Sequence, residues 1–249
     1  MAKQAEIDYI KNIGGESVYE AHIEKPFPFD ECGSLLSEIG AVISLLPPPP
    51  ARLLDLGCGS GWTSVFFAKR GYEVMGVDIA PDMIQLAEQN KERNRLENLS
   101  FIISDYESLN FDNEFDVVVF FDSLHHAEDE TLALEKAFKS LKKGGFCIAA
   151  EPGRGHEKKS TVVDVVNKYG VTEKSMPPKK IIKIGKKIGF TRFKKYPHFN
   201  SLNKLIYGKH VYEKKWLNKI RKCEFLNALA SFFLIYFYKR YSGITVMKK

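Results

Sequence analysis

A chain of 249 residues, 44% of them hydrophobic, can bury one sizeable core and fits one α/β domain with additions rather than two independent domains. Cys32, Cys58, Cys147 and Cys223 form no C-x-x-C pair, which argues against a disulfide framework and a cysteine-held metal. The formal charge of +6 hides an asymmetry: residues 152–249 hold 24 Lys and Arg against 5 Asp and Glu, net +19, whereas residues 1–151 hold 13 against 26, net −13. The basic half is either a solvated lysine-rich surface or a face for an anionic partner: a phosphorylated substrate, an anionic membrane or nucleic acid. Met1 to Glu6 carry no apolar stretch of the secretory type, so a reducing cytoplasm is the expected compartment.

Residues 1–46 read as a helical cap. Its aromatic and proline residues include His22 and Phe27, and Leu35, Leu36, Ile39, Val42, Ile43 and Leu46 follow helical spacing. Pro47 to Pro50 stop that helix, because proline lacks the N–H and clashes with the preceding turn. Leu53 to Leu56 then form a short apolar run, expected as a buried parallel strand, and Gly57, Gly59 and Gly61 follow on alternate positions. Trp62 and Thr63 open the next helical segment. Glycines there admit torsions closed to other residues and let a ligand lie against bare main chain. A dinucleotide site wants G-x-G-x-x-G with a pyrophosphate on the helix N-terminus. This chain has Trp62 where the last glycine would fall, and Asp55 at the strand end, which repels phosphate but suits an ammonium and a sulfonium. No Lys-Ser or Lys-Thr pair follows these glycines to mark a P-loop.

Glu73 to Asp78 read as a second strand ending in an acid about twenty residues past the glycines, where a carboxylate takes ribose hydroxyls. Pro81 to Asn90 begin a helix, Phe101 to Ile103 a third strand ending at Asp105-Tyr106, and Val117 to Phe121 a central fourth strand. After it come Asp122, Ser123, Leu124, His125 and His126, at the sheet edge where open α/β folds bind ligands. No third metal ligand is visible beside the two histidines, so no metal is expected. His125 and His126 are candidate general bases, or one caps the next helix. Thr131 to Leu141 read as a helix and Phe146 to Ala150 as the fifth strand, followed by Glu151, Arg154 and His156, with Glu151 and His156 as second candidates for proton handling.

The motifs Asp55-x-Gly57-x-Gly59-x-Gly61, Val77-Asp78-Ile79 and Ser104-Asp105-Tyr106, with Phe115 through His126, resemble the class I S-adenosylmethionine-dependent methyltransferases, in the broad type 11 group. The resemblance covers roughly residues 47–200 and implies a Rossmann-like three-layer α/β/α sandwich, its seven-stranded, mostly parallel sheet ending in an antiparallel strand. It implies cofactor contacts at Asp55, Gly57, Cys58, Gly59, Gly61, Trp62 and Thr63 for the methionine end. Asp78 falls to the ribose and Asp105 and Tyr106 to the adenine, while Ile79, Met83 and, at the fourth-strand end, Asp122 and Ser123 are further cofactor contacts. His125, His126 and Glu151 are the catalytic candidates, and His22 and Phe27 the acceptor-pocket candidates. S-adenosylmethionine is the expected cofactor and S-adenosylhomocysteine its product.

Lys179 to Gly189 read as a helix, Phe190 to Tyr196 as the sixth strand and Gly243 to Met247 as the seventh. Ser201 to Tyr241 are then an insertion, in which Phe225 to Tyr238 are almost wholly apolar and aromatic. Fourteen residues are too few to cross a bilayer, which takes about twenty. The segment is therefore a buried helix or an interfacial one, flanked by Lys219, Arg221, Lys222, Lys239 and Arg240. The expected activity is methyl transfer to a small-molecule or saccharide-type hydroxyl. The alternative is an acceptor at the inner membrane surface, such as a lipid-linked or phosphorylated glycan or a quinone. Neither DNA nor RNA is the expected partner, because the lysines belong to no recognisable nucleic-acid-binding module. An aminopropyl transferase on the same sheet and a non-catalytic cofactor binder are the rivals from other classes.

Overall fold

The computed structural model describes residues 2–198, 203, 222–237 and 242–249. Lys219, Arg221, Lys239 and Arg240, and most of the expected insertion, lie outside the described residues.

Seven strands, β1 (Arg52–Leu56), β2 (Glu73–Asp78), β3 (Leu99–Ile103), β4 (Phe115–Phe121), β5 (Leu141–Glu151), β6 (Arg192–Pro197) and β7 (Gly243–Lys248), form one sheet. Their order is β3-β2-β1-β4-β5-β7-β6. β1 pairs in parallel with β2 and β4, while β7 runs antiparallel to β5 and β6. Parallel neighbours need crossovers, and α4 (Trp62–Lys69), α5 (Pro81–Asn94) and α6 (Glu130–Ser140) provide three of them.

Strand periodicity sends alternate side chains to opposite faces, and both faces are covered. Leu54 and Leu56 of β1 join Val118, Phe120, Leu134 and Ile181 in one layer. Leu53 joins Val117, Val119, Ile39 and Phe67 in the other. Leu53, Leu54 and Leu56 are fully buried, and each contributes about 1.5–3 kcal/mol by leaving water. The apolar runs of β1 and β4 are thus unbroken because helices lie on both sides.

The described elements differ from the expected ones at several places. β3 begins at Leu99, which pairs with Val74. β5 begins at Leu141, five residues before the expected Phe146, because Leu141 pairs with Phe115 ahead of a register shift. α7 (Ser160–Tyr169) is an element the sequence reading does not assign. The cap consists of α1 (Ala2–Ile13), α2 (Glu16–Ile23) and α3 (Cys32–Leu45), and α8 (Pro178–Ile188) and α9 (Glu224–Tyr236) complete the described helices. Among the described residues no helix is long and apolar enough to cross a membrane.

Candidate functional site

At the end of β1 the chain folds back over β2, and the N–H groups of Gly57 and Cys58 donate to the Val77 carbonyl at 2.8 and 3.0 Å. Gly57 has φ +73°, and a Cβ there would stand 2.4 Å from Ser123 Cβ, so the position admits glycine alone. At Gly59, φ +53°, the same added atom meets nothing within 4 Å. Its N–H donates to Asp78 Oδ2 at 2.8 Å, and Asp78 Oδ1 accepts from Ala80 N at 3.0 Å. The acid at the end of β2 therefore clamps the turn as well as facing the space above it.

Asp55 sits elsewhere than expected. Only 1% exposed, it lies behind the turn and is not among the residues lining the cavity. Its Oδ2 accepts from Thr63 Oγ1 at 2.7 Å and Ser64 Oγ at 2.6 Å, tying the start of α4 to β1. Its Oδ1 has no hydrogen-bond partner. Burial drives its pKa from 3.8 up to about 6, with the charge of Asp78 adding to the rise and the two hydroxyls opposing it. The folded chain thus holds this proton more tightly than the unfolded one, and the group's contribution to stability grows as pH falls through 6. Relative to Asp55→Asn, the wild type is expected to gain about 2 kcal/mol between pH 7 and pH 4. Denaturant titrations at each pH test this, and parallel profiles for the two proteins would contradict it.

The turn, the ends of β2 and β4 and the cap enclose a cavity of about 300 Å³. Gly57, Cys58, Gly59, Trp62 and Thr63 contribute from the turn, and Asp78, Ile79 and Met83 from β2 and the start of α5. Asp105 and Tyr106 follow β3, and Asp122, Ser123 and His126 follow β4. Gly61 instead faces Phe101 and Ala87, behind the turn. Asp105 caps the short 3-10 turn after it, its Oδ1 accepting from Ser108 N at 2.8 Å. The Tyr106 hydroxyl donates to the Ser123 carbonyl at 3.1 Å, and Ser123 Oγ to the Leu56 carbonyl at 2.6 Å, so three strand ends are stitched together.

The cap supplies residues that carry no motif in the sequence. Lys3, Glu6 and Tyr9 lie one helical turn apart on α1, and all three line the cavity with His22 and Lys25. Lys3 Nζ lies 3.3 Å from Asp105 Oδ2 and also pairs with Glu107. Ser60 Oγ donates to the His22 carbonyl at 2.5 Å, docking α2 directly on the glycine turn. Phe27, expected in the acceptor pocket, is 64% exposed and is not a lining residue.

The expected catalytic residues separate. Glu151 is fully buried and does not line the cavity. Its Oε1 accepts from the N–H groups of Ser123 and Leu124 at 3.1 and 2.8 Å, and its Oε2 from that of His125 at 3.3 Å. His125 Nδ1 lies 2.8 Å from the same Oε2, and His125 is likewise absent from the lining. Both build the loop after β4. His156 and Arg154 lie outside the lining too, with His156 Nε2 2.6 Å from Glu173 Oε2. Glu173 also answers the expectation of no third ligand beside the histidines: it brings an oxygen within 4.8 Å of ligand atoms on His125 and His126.

His126 does line the cavity. Burial would lower its pKa, but the carboxylate of Glu6 at 3.5 Å, with Glu173 and the Thr172 carbonyl, raises it to about 9. That environment favours its protonated form at neutral pH. His22 has the opposite setting. Burial, aided by the charge of Lys25, lowers its pKa against the opposing hydrogen bond to Val18. With Nδ1–H donating to the Val18 carbonyl at 2.8 Å, Nε2 keeps its lone pair.

Seven carboxylates line the cavity, those of Glu6, Asp78, Asp105, Glu107, Asp122, Glu128 and Glu173, against the basic side chains Lys3, Lys25 and His126. Such a wall attracts a cationic ligand and repels a phosphate. The open side of Gly59, the uncompensated Asp55 oxygen behind the turn and the acid at the end of β2 all fit a nucleoside that carries positive charge at its other end.

Comparison with known proteins gives a match of residues 49–213 to the methyltransferase domain family. The ubiquinone biosynthesis O-methyltransferase of Psychrobacter cryohalolentis is 31% identical over 106 residues, 41% of each chain. This chain thus spans about two fifths of the length of such curated relatives. Haemonchus contortus phosphoethanolamine N-methyltransferase 2, solved with S-adenosyl-L-methionine, superposes with a TM-score of 0.61 at 19% identity, over 85% of this chain and 51% of its own. A putative methyltransferase solved in complex with the Haloferax volcanii Trm112 activator gives 0.63 at 16% identity, over 92% and 96%. At these identities the structural likeness concerns the fold.

Proposed function

The chain belongs to the methyltransferase domain family, among the class I S-adenosylmethionine-dependent methyltransferases, and on that premise we propose that it methylates a hydroxyl of a small-molecule acceptor. The observation that carries the reading is the carboxylate-lined cavity over the glycine turn. When bound, S-adenosylmethionine supplies a methyl on a sulfonium whose departure as a neutral thioether needs no acid. The protein's task is then alignment of the acceptor, for which orientation is the main lever.

In this reading Asp78 takes the ribose hydroxyls, Ile79, Met83 and Tyr106 flank the adenine, and Asp105 receives its amino group beside Lys3. Gly57 to Thr63 hold the methionine end, with the buried charge of Asp55 behind them. Asp122 and Ser123 border the reacting region. His22 is the base that a hydroxyl acceptor needs, being neutral at pH 7 with a free Nε2, whereas His126 is a positioning cation.

Calorimetry with S-adenosylhomocysteine tests the cofactor half. Asp78→Ala removes charge-assisted hydrogen bonds of about 1.5–3 kcal/mol each, so affinity is expected to fall at least about tenfold. NADH or ATP seated in the cavity with S-adenosylhomocysteine ignored would refute it. For the base, His22→Ala is expected to reduce labelled-methyl transfer by about 10²-fold or more while S-adenosylhomocysteine affinity holds. Undiminished turnover removes His22 from the reaction. Cofactor binding with no product across broad acceptor pools would favour the non-catalytic alternative.

A further inference from the structure

Helix α9 is built inside out. A helix on a water-soluble domain turns its bulky apolar residues inward, but among the described side chains of α9 Asn227, Ala230 and Ser231 are the half-buried ones, and the helix packs on β6. Phe225, Leu229, Phe232, Phe233, Tyr236 and Phe237 are 44 to 75% exposed. The rings of Phe232 and Tyr236 lie 4.5 Å apart and those of Phe233 and Phe237 5.3 Å apart, making a ridge along the outer face. Scattered exposed apolar residues are ordinary; a contiguous aromatic ridge marks an interaction surface.

We propose that α9 docks on an anionic lipid surface, lying flat with this ridge among the headgroups and upper acyl chains. Three observations select that occupant. The helix has 13 residues, about 20 Å of length, too short to span a bilayer but enough to lie in its interface. Its outer face is rich in rings, which favour the headgroup level. Its surroundings are cationic: Lys222 precedes it, Arg192, Lys194 and Lys195 are exposed on edge strand β6, and residues 152–249 carry the net +19. Polybasic surface and buried rings together are the two signals that a stable peripheral attachment takes. β6 runs in the same direction as β4 and β5. It therefore ends at the sheet edge where Asp122 lines the cavity, and lipid docking would bring amphiphilic acceptors to that edge. The docking itself does not depend on methyl transfer.

Flotation of the full chain with phosphatidylglycerol-containing vesicles, against pure phosphatidylcholine vesicles, tests it. At low salt the protein is expected to float with the anionic vesicles, and high salt is expected to reduce the floated fraction at least about tenfold. The double variant Phe232→Ser with Phe233→Ser is expected to stay in the dense fraction while its S-adenosylhomocysteine affinity matches the wild type. Lys194→Glu with Lys195→Glu, which leaves the ridge intact, is expected to lose most of the flotation. Absence of flotation at low salt overturns the proposal, as does equal flotation on neutral vesicles. A concentration-dependent dimer abolished by the serine variant, without flotation, would assign the ridge to a second copy instead. A wild type that does not float, with a serine variant that melts earlier than it, would assign the ridge to cover by the chain itself. Calorimetry on the same samples reports cofactor binding separately, so failure here and failure of the cofactor assignment remain distinguishable.

Discussion

Glu151→Ala is expected to lower stability by about 3–5 kcal/mol, the loss typical of stripping one member from a buried charge network. The carboxylate has no exposed surface, and it is the acceptor for three consecutive backbone N–H groups and the partner of His125 Nδ1. Alanine would leave all four groups unpaired in a place water does not reach, and each such group costs about 1–3 kcal/mol. The local loop would relax to recover part of that, which is why the total stays below the sum. Glu151→Gln, which keeps one acceptor oxygen, should fall between. Urea midpoints for the three proteins decide the matter. A Glu151→Ala protein that melts like the wild type yet transfers no methyl would return Glu151 to the chemistry and dismiss its role as a clamp.

Gly57→Ala and Gly59→Ala should fail in different ways, although both sit in one turn at positive φ. For either, the left-handed backbone costs a residue with a Cβ about 1–2 kcal/mol. At Gly57 the new carbon also meets Ser123 Cβ at 2.4 Å, and overpacking adds about 1–3 kcal/mol. Ser123 cannot yield freely, because its hydroxyl is bonded to Leu56 and its carbonyl to Tyr106. Gly57→Ala is therefore expected to lose about 2–5 kcal/mol of stability, with cofactor affinity lost alongside. At Gly59 the added carbon has open space, so the melting point should move less and S-adenosylhomocysteine affinity should carry the damage. Thermal melts and calorimetry on both variants separate the cases; identical losses in the two would mean the turn responds as one unit.

The sheet was legible because its signal is periodic and local. Leu53 to Leu56 and Val117 to Phe121 are apolar at every or nearly every position, the pattern of strands covered on both faces, and Gly57 and Asp78 stand where a strand must end. The site was legible where main-chain geometry dictates residue type, as at Gly57, and where an acid falls at a strand end, as at Asp78. It was illegible where function depends on distant pairing. Nothing about Glu151 in the sequence reveals that the N–H groups of residues 123 to 125 converge on it, so an acid at the right sheet edge looks catalytic although its oxygens are taken up by backbone. His125 and His126 are indistinguishable as neighbours, yet one is sealed against Glu151 and the other faces the cavity near Glu6. Asp55 stands at the strand end the sequence indicates but behind the turn, because Thr63 and Ser64 bind its oxygen. Lys3, Glu6 and Tyr9 share a helix face, a pattern that reads equally well as an ordinary surface.

The bond from Thr172 N to Glu6 Oε1, 2.7 Å across a separation of 166 residues, has a consequence for biosynthesis. The first helix leaves the ribosome long before any of the groups it closes upon exist. Asp105 and Glu107 emerge some hundred residues later and Thr172 last of all. Until that loop appears, a chain emerging from the ribosome holds the glycine turn with an unfinished roof, so cofactor capture is expected only after residue 172 has been made.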